Sequence, residues 1–332
     1  MSVVLCGYNQ AQYLRQAVES VLAQTYPNLE LILMDNGSTD ASREIARTYG
    51  SHPNVKLLLH EEAASIGTRA NEGIAASAGE FISFLWADDW YLPGKTEAQM
   101  DAFARLAPDY GVVYSPGYRY NQTTGQQWHD GTLAWSGQVL ERMLRNFFRS
   151  QVNMDAPLVR RECFLRFPFY EDVFLEAEAI FMRLATAYRF HCVAQPLVVT
   201  RDHQRNLGKA YEWMSRWTLL LLRRLEREEM FPPGLVPLVE DIRAAVARNL
   251  GWRLIRLAGE PDHGRRWLLA SLDRGPRRAA HPRFIVGMGL SLLPRPLLPR
   301  VNALGNLARR HRENIDYVAD IGPGARMAIP RD

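Results

Sequence analysis

The sequence predicts an α/β fold: a mainly parallel sheet flanked by helices, followed by a helical C-terminal extension. Short apolar runs alternate with amphipathic stretches through about the first hundred residues, which favours parallel strands joined by helices. Polar residues follow several of the predicted strands directly. Beyond about residue 206 only long helical patterns remain.

The first four predicted elements are strand, helix, strand, helix. The run from Val3 to Leu5 is apolar, and AQYLRQAVESVLAQTY follows with apolar residues at helical spacing. LELILMD, from Leu29 to Asp35, predicts the second strand. Asn36-Gly37 is a turn signal, and Ser38 or Thr39 is positioned to cap a helix over ASREIARTYG.

Two further strands complete the predicted core of the sheet. Val55 to His60 is the third strand, a helix is predicted near Thr68 to Ala78, and Glu80 to Trp86 reads as a buried central strand. Ligands of such sheets bind outside the carboxyl ends of the strands. We therefore expect the polar pairs that follow the strands to lie close together, where they would suit a nucleotide and its metal ion. These pairs are Tyr8-Asn9, Asp35-Asn36 and Asp88-Asp89.

These motifs carry a family resemblance. SVVLCGYNQAQYLRQAVESVLAQTYPNLELILMDNGSTD, with GEFISFLWADDWYLPGKTE later, resembles the family 2 glycosyltransferases over roughly residues 1 to 205. The resemblance implies a GT-A type, Rossmann-like catalytic domain that transfers a sugar from a nucleotide-sugar donor. Residues 206 to 332 would then form a separate helical, basic region.

The resemblance assigns the nucleotide to the first two strand ends. Gly7, Tyr8 and Asn9 match the first, where an aromatic ring stacks on the base; packing under the first helix is the other reading of Tyr8. Asp35, followed by Asn36, matches the acid that accepts hydrogen bonds from base or ribose, and helix capping is its alternative. Cys6-Gly7 replaces a common Pro-Thr pair, which removes a hydroxyl.

The resemblance also implies a divalent metal ion, Mn²⁺ or Mg²⁺, between Asp88-Asp89 and the donor diphosphate. Trp86 replaces the first acid of the family motif, leaving W-A-D-D. His203 matches a later histidine that contacts metal or diphosphate, and an exposed loop position is its alternative. Asn71 matches a common asparagine in the helix before the metal strand. Arg69 could bind phosphate oxygens through two hydrogen bonds. The alternative for Arg69 is an exposed position on that helix.

The catalytic base is the weakest part of the match. An inverting transferase needs a carboxylate near the acceptor hydroxyl. The segment EAEAIFMRLA, from Glu176 to Ala185, matches the helix that carries it, but Ala177 stands where an aspartate is usual. Glu176 is the favoured base, because it opens this helix beside Ala177. Further candidates are Glu178, Asp172 and Glu171, and each acid also suits a solvated helix start.

The acceptor and the C-terminal region are less defined. The predicted loop from Ser115 to Asn153 is rich in aromatic residues and lies where the family recognises its acceptor, a saccharide or lipid-linked glycan. Residues 251–312 contain 13 arginines, no lysine and three acids, a net charge of +10 in a chain of net charge +4. Within them, Phe284 to Arg312 is apolar with interspersed arginines, which suits an anionic membrane surface or a packed helix with a basic face. No motif supports nucleic-acid binding.

The remaining features favour a cytoplasmic protein that is peripheral on the inner face of the cell membrane. A strand begins at residue 2, no apolar run reaches the length of a span, and the three cysteines are widely spaced in apolar contexts. The oligomeric state stays open. We expect a metal-assisted, inverting glycosyltransferase using a UDP-sugar to build cell-surface glycan. The alternative is a catalytically inactive binding protein of the same fold, which Ala177 and Trp86 would favour. A nucleotidyltransferase is not favoured, because it would need a glycine-rich, lysine-bearing loop after the first strand, and this sequence lacks one there.

Overall fold

The predicted α/β fold is confirmed by the computed structural model, which describes residues 1–149, 152–173, 179–206, 209–272, 279–293 and 297. The chain forms two compact units: the first spans Met1–His203 and the second begins at Gln204.

The first unit is organised around a central sheet, of which the described residues form seven strands in the order β10-β6-β9-β4-β1-β2-β3. Only β9 runs antiparallel to its neighbours β4 and β6. Their bounds are β1 Ser2–Gly7, β2 Glu30–Asp35, β3 Val55–Leu59, β4 Phe81–Trp86, β6 Tyr110–Tyr114, β9 Leu158–Arg160 and β10 Arg189–Cys192. Every residue of β2 except Glu30 is buried, as expected for a strand covered on both faces.

A second sheet was not predicted from the sequence. Its described strands lie in the order β5-β11-β7-β8, with bounds β5 Trp90–Tyr91, β7 Gly117–Asn121, β8 Gln127–His129 and β11 Val198–Asp202. The expected loop over residues 115–153 is therefore wrong: it contains the β7-β8 hairpin and a helix. Polar residues dominate this hairpin, so its strands lack the apolar alternation by which half-buried strands are recognised.

The helices of the first unit connect and cover the strands. Their bounds are α1 Ala11–Leu22, α2 Ser42–Arg47, α3 Ile66–Ala76, α4 Lys95–Phe103, α5 Leu140–Arg145, α6 Arg161–Arg166 and α7 Ile180–Leu184. The predicted cap of α2 is wrong, because the Ser38 hydroxyl accepts a hydrogen bond from the Asn9 N–H instead. Ser65 caps α3 by accepting a hydrogen bond from the Thr68 N–H at 3.0 Å.

The second unit is helical in its described residues, as predicted. It contains α8 Tyr211–Arg227, a short 3-10 turn over Pro233–Leu235, α9 Val236–Arg253, a π-helical segment over Leu254–Ala258, α10 Pro261–Ala270 and α11 Pro282–Ser291. Ile255 of the π-helical segment and Leu268 of α10 are buried, and apolar residues of α11 pack against them. Each helix within the described residues is too short or too polar to cross a bilayer.

Candidate functional site

The ends of three parallel strands lie side by side at one edge of the central sheet. In the register, Gly7 of β1 pairs with Asp35 of β2, and Cys6 pairs with Trp86 of β4. The residues that follow these strands therefore start from adjacent positions, as the sequence predicted. Tyr8 is half-buried at the end of β1.

Hydrogen bonds tie the loop after β1 to the loop after β2. Asn9 adopts a left-handed backbone conformation, with φ of 53°, which asparagine tolerates better than most residues. Its side-chain oxygen accepts a hydrogen bond from the Thr39 N–H at 2.8 Å. The buried Asp35 carboxylate accepts one from the Ser38 N–H at 2.9 Å. Asn9 is thus a brace that holds the two loops in a fixed relation.

Arg69 is held by protein groups on the second loop. Its Nε donates to the Asn36 side-chain oxygen at 2.7 Å, and its two terminal nitrogens donate to the Glu72 carboxylate at 2.9 Å and the Glu62 carbonyl at 2.7 Å. The side chain is largely buried. This guanidinium therefore organises the loops beneath the strand ends, which differs from the two positions considered from the sequence.

Asp88 and His203 form a largely buried polar pair near the end of β4, so His203 is not at an exposed loop position. Asp88 Oδ2 lies 2.9 Å from His203 Nε2, although 115 positions separate the two residues in the chain. The Tyr13 ring contacts the imidazole, with 5.2 Å between centroids. A carboxylate oxygen beside an imidazole nitrogen is a donor pair that Mn²⁺ accepts, so this pair fits a divalent metal. Among the described residues no group of three or more such side chains is assembled.

Arg201 of β11 holds both aspartates. Its backbone N–H donates to Asp89 Oδ1 at 2.7 Å, and its Nε donates to the Asp88 carbonyl at 2.9 Å. The guanidinium lies 4.4 Å from the Tyr13 ring centroid and 4.7 Å from that of Trp90, distances typical of cation–π contacts. Its terminal nitrogens donate to Gln122 and Gln16.

Asp89 points into the protein, in contrast to Asp88. It is almost fully buried, and burial together with the neighbouring Asp155 carboxyl raises the pKa of Asp89 well above its ordinary value. Burial also raises the pKa of Asp155 to about 6. Two carboxyls this close share a proton more easily than they both ionise. Asp89 therefore supports the loop from below.

Asp155 was not among the residues predicted for the site, and it is completely buried. Its Oδ1 accepts a hydrogen bond from the Trp86 N–H at 2.8 Å, so it fixes the last residue of β4. A single acid in the otherwise apolar stretch MDAPLV was the available signal.

A buried lysine lies in the same polar network. Lys95 is fully buried, and its amine donates to Gln99 at 2.8 Å and Ser83 at 3.1 Å. The amine also lies 4.1 Å from the Tyr91 ring centroid. Burial lowers the pKa of Lys95 to about 7, and the Asp155 charge opposes that shift. The interior behind the loop that carries Asp88 and Asp89 is thus polar and closely hydrogen-bonded.

The candidate bases lie on or beyond the segment that follows α6. The Asn71 side chain grips this segment: its oxygen accepts from the Phe169 N–H at 2.9 Å, and its amide donates to Glu171 at 2.9 Å. Asp172 is exposed, whereas Glu176 and Glu178 lie outside the described residues. Gly67 allows α3 to approach the segment, because a Cβ at this position would lie 2.2 Å from the Tyr170 carbonyl oxygen.

A parallel α/β sheet with amide, carboxylate and imidazole groups at adjoining strand ends is typical of enzymes that act on nucleotide-linked substrates. The family model described as Glycosyl transferase family 2 matches residues 2–174, just over half of the chain. The chain therefore belongs to this family of glycosyltransferases, and the expected family is confirmed.

Individual relatives agree with this assignment. EpsH of Bacillus subtilis (strain 168), named as a glycosyltransferase, is 29% identical over 226 residues, which cover 64% of this chain and 63% of EpsH. The chain thus spans less than two thirds of that relative's length.

Solved structures share the fold. S. aureus TarS 1-349 in complex with UDP-GlcNAc superposes with a TM-score of 0.61 and 16% identity, covering 94% of this chain and 93% of that one. The mannosyltransferase PcManGT from Pyrobaculum calidifontis, in complex with GDP-Man and Mn²⁺, gives a TM-score of 0.53 and 16% identity, covering 93% and 88%. At these identities the likeness establishes the fold alone.

Proposed function

We propose that this glycosyltransferase uses a nucleoside diphosphate sugar, in particular a UDP-sugar, and a divalent metal ion to glycosylate a saccharide or lipid-linked acceptor of the cell surface. The Asp88–His203 pair carries the proposal, because it brings two metal-binding side chains together at the strand end where the fold binds ligands. The nucleotide sugars bound to TarS and PcManGT support the donor class.

The nucleoside is proposed to bind across the ends of β1 and β2. Tyr8 supplies a ring for stacking on the base, and Asp35 supplies a buried carboxylate to accept hydrogen bonds from base or ribose. Asn9 and Asn36 hold the loops on either side through their own hydrogen bonds. Arg69 holds Asn36 by a hydrogen bond, so the loops would already be fixed when the base binds.

Asp88 and His203 are the proposed metal ligands, with diphosphate oxygens and water completing the coordination. A bound divalent ion would neutralise charge that develops on the departing diphosphate. Asp89, first considered as a ligand from the sequence, is here proposed to support Asp88. Its carboxyl is buried against Asp155 and accepts the Arg201 N–H.

Glu176 is the proposed base for an inverting transfer, on the strength of its position in the family motif. Deprotonation of the acceptor hydroxyl by a carboxylate favours attack on the anomeric carbon as the diphosphate leaves. Asn71 and Gly67 secure residues 169–171, which lie just before this motif in the chain. Glu178, Asp172 and Glu171 are the alternatives to be compared by substitution.

The first experiment is calorimetric titration of UDP, GDP and dTDP and their common sugar conjugates, with and without Mn²⁺. The variants are Asp88→Asn and His203→Ala. Asp101→Asn is the matched control, because Asp101 is an exposed acid of α4 that pairs with the exposed Arg105. We expect UDP to bind most tightly, with Mn²⁺ strengthening binding in the wild type and the control and having little effect in either site variant.

Turnover separates the enzyme from the inactive alternative. Mass spectrometry should show sugar transfer from the donor identified by calorimetry to oligosaccharide or polyprenyl-linked acceptors, and Glu176→Gln should abolish it without weakening donor binding. Metal-dependent donor binding without transfer or donor hydrolysis would favour the binding-protein alternative. No binding of any nucleotide would refute the donor site itself.

A further inference from the structure

Helix α11 of the second unit has one buried face. Phe284 and Met288 pack against the cluster formed by Ile255 and Leu268. Gly287 allows close packing there, because a Cβ at its position would lie 2.8 Å from a Leu268 methyl carbon. These residues recur at positions i, i+3 and i+4, which is one side of a helix.

The opposite face of α11 is apolar and exposed. The exposed fractions are 57% for Ile285, 50% for Val286 and 70% for Leu292, the residue directly after the helix. Gly289 shares this side, and a Cβ there would meet nothing within 4 Å. Ile285, Gly289 and Leu292 are at positions i, i+4 and i+7, which align on a helix surface. Val286 follows Ile285 directly and borders this line, so Ile285, Val286 and Leu292 form one exposed apolar surface, which we call the α11 strip.

Positive charge surrounds the α11 strip in the sequence. Residues 274–312 contain nine arginines and no acidic residue. Arg283 is exposed near the start of α11, and Arg266 is exposed on α10. Apolar side chains flanked by arginines are typical of helices that lie in the headgroup region of an anionic bilayer.

We propose that the α11 strip docks this protein on an anionic phospholipid bilayer. The helix has ten residues, about 15 Å in length, which is half the thickness of a hydrocarbon core. It can therefore lie along the interface and not across the bilayer. Ile285, Val286 and Leu292 enter the acyl boundary while arginines pair with lipid phosphates. The α11 strip belongs to the second unit and the proposed donor residues belong to the first, and the docking role does not depend on the proposed sugar transfer.

The test is flotation of the full-length protein with lipid vesicles. Vesicles containing phosphatidylglycerol are compared with vesicles of phosphatidylcholine alone, at low and high salt. The variant is Ile285→Ser with Leu292→Ser, which removes apolar surface and leaves the net charge unchanged. Leu165→Ser is the matched control, because Leu165 is 66% exposed on α6 of the other unit. Circular dichroism verifies that all three proteins fold alike.

The wild type and the control are expected to float with the anionic vesicles, less so at high salt, and not with phosphatidylcholine. The double variant should partition roughly tenfold or more weakly. Equal flotation of the double variant and the wild type would refute the role of the strip, and equal flotation with both vesicle types would refute the role of charge. Light scattering provides a further check: a wild-type dimer that the double variant cannot form would show that a second copy covers the strip.

Discussion

The buried amine of Lys95 should make the stability of this protein depend on pH in a defined direction. Burial lowers the pKa of Lys95 from 10.5 to about 7. In the unfolded chain the amine is more basic, so unfolding takes up a proton at intermediate pH. The free energy of unfolding therefore rises with pH from about 7 to about 10.5.

The size of the effect follows from the shift. A difference of about 3.5 pKa units corresponds to about 5 kcal/mol over the whole range. Between pH ~7 and pH ~8.5 the folded amine is progressively neutral while the unfolded amine stays charged, which gives about 1.5 kcal/mol. The three thiols act in the opposite direction, because desolvation raises their pKa values to about 11 or 12.

The substitution Lys95→Met isolates this contribution, since it keeps an unbranched side chain and removes the amine. Loss of the nearby cation should also raise the pKa of Asp155. Because a carboxyl with a raised pKa in the folded state costs stability as pH rises, the difference in unfolding free energy between wild type and Lys95→Met becomes larger. The thiols are present in both proteins, so their contribution cancels. Lys56→Met is the matched control, because Lys56 is exposed on β3.

Urea unfolding at several pH values between about 7 and about 8.5, under reducing conditions, measures the free energies. We expect the free energy of unfolding of the wild type to rise by about 1.5 kcal/mol more than that of Lys95→Met over this range. The Lys56→Met curve should run parallel to the wild-type curve. Parallel curves for the wild type and Lys95→Met would show that the Lys95 amine titrates as in water, and the reasoning from burial would be wrong.

Two further predictions concern the site. Arg201→Lys keeps the charge but loses the donor to the Asp88 carbonyl, so calorimetry should show Mn²⁺-dependent UDP binding weakened roughly 10- to 100-fold. The control is Arg119→Lys on the exposed surface of β7, which should bind UDP like the wild type. Equal affinity of the two variants for UDP would argue against a positioning role for Arg201. Gly67→Ala places a methyl group 2.2 Å from the Tyr170 carbonyl oxygen, so the transfer rate should fall while the dissociation constant of UDP changes little. An unchanged transfer rate would show that the segment around Tyr170 can shift without affecting transfer.

Local sequence patterns predicted the parts of the fold that depend on neighbouring residues. The apolar runs of β1, β2 and β4 identified the strands, and parallel pairing then required their ends to adjoin. Gly7 and Asp35 are accordingly partners in the register. The second sheet escaped prediction because β11 pairs with β7, far away in the sequence.

Within the candidate site, the types of residue were predictable but their orientations were not. Arg69 was expected to meet phosphate or solvent, yet its donors are engaged by Asn36, Glu72 and a backbone carbonyl. No local pattern distinguishes a guanidinium that reaches a ligand from one that holds a loop. Asp155 shows the same limit, because its partner at Trp86 lies 69 positions away in the chain.

Asp88 and Asp89 show why adjacent acids can have different roles. Successive side chains after a strand point in different directions, so one carboxylate reaches the site while its neighbour enters the interior. Asp88 meets His203 at 2.9 Å, whereas Asp89 is buried beside Asp155 and bound by the Arg201 N–H. Asp89 and Arg201 together fix the loop from which both carboxyl groups project, which leaves Asp88 in position to act as the proposed metal ligand. The polar interior would therefore contribute to the proposed metal site by fixing this loop, although none of its groups needs to touch the donor.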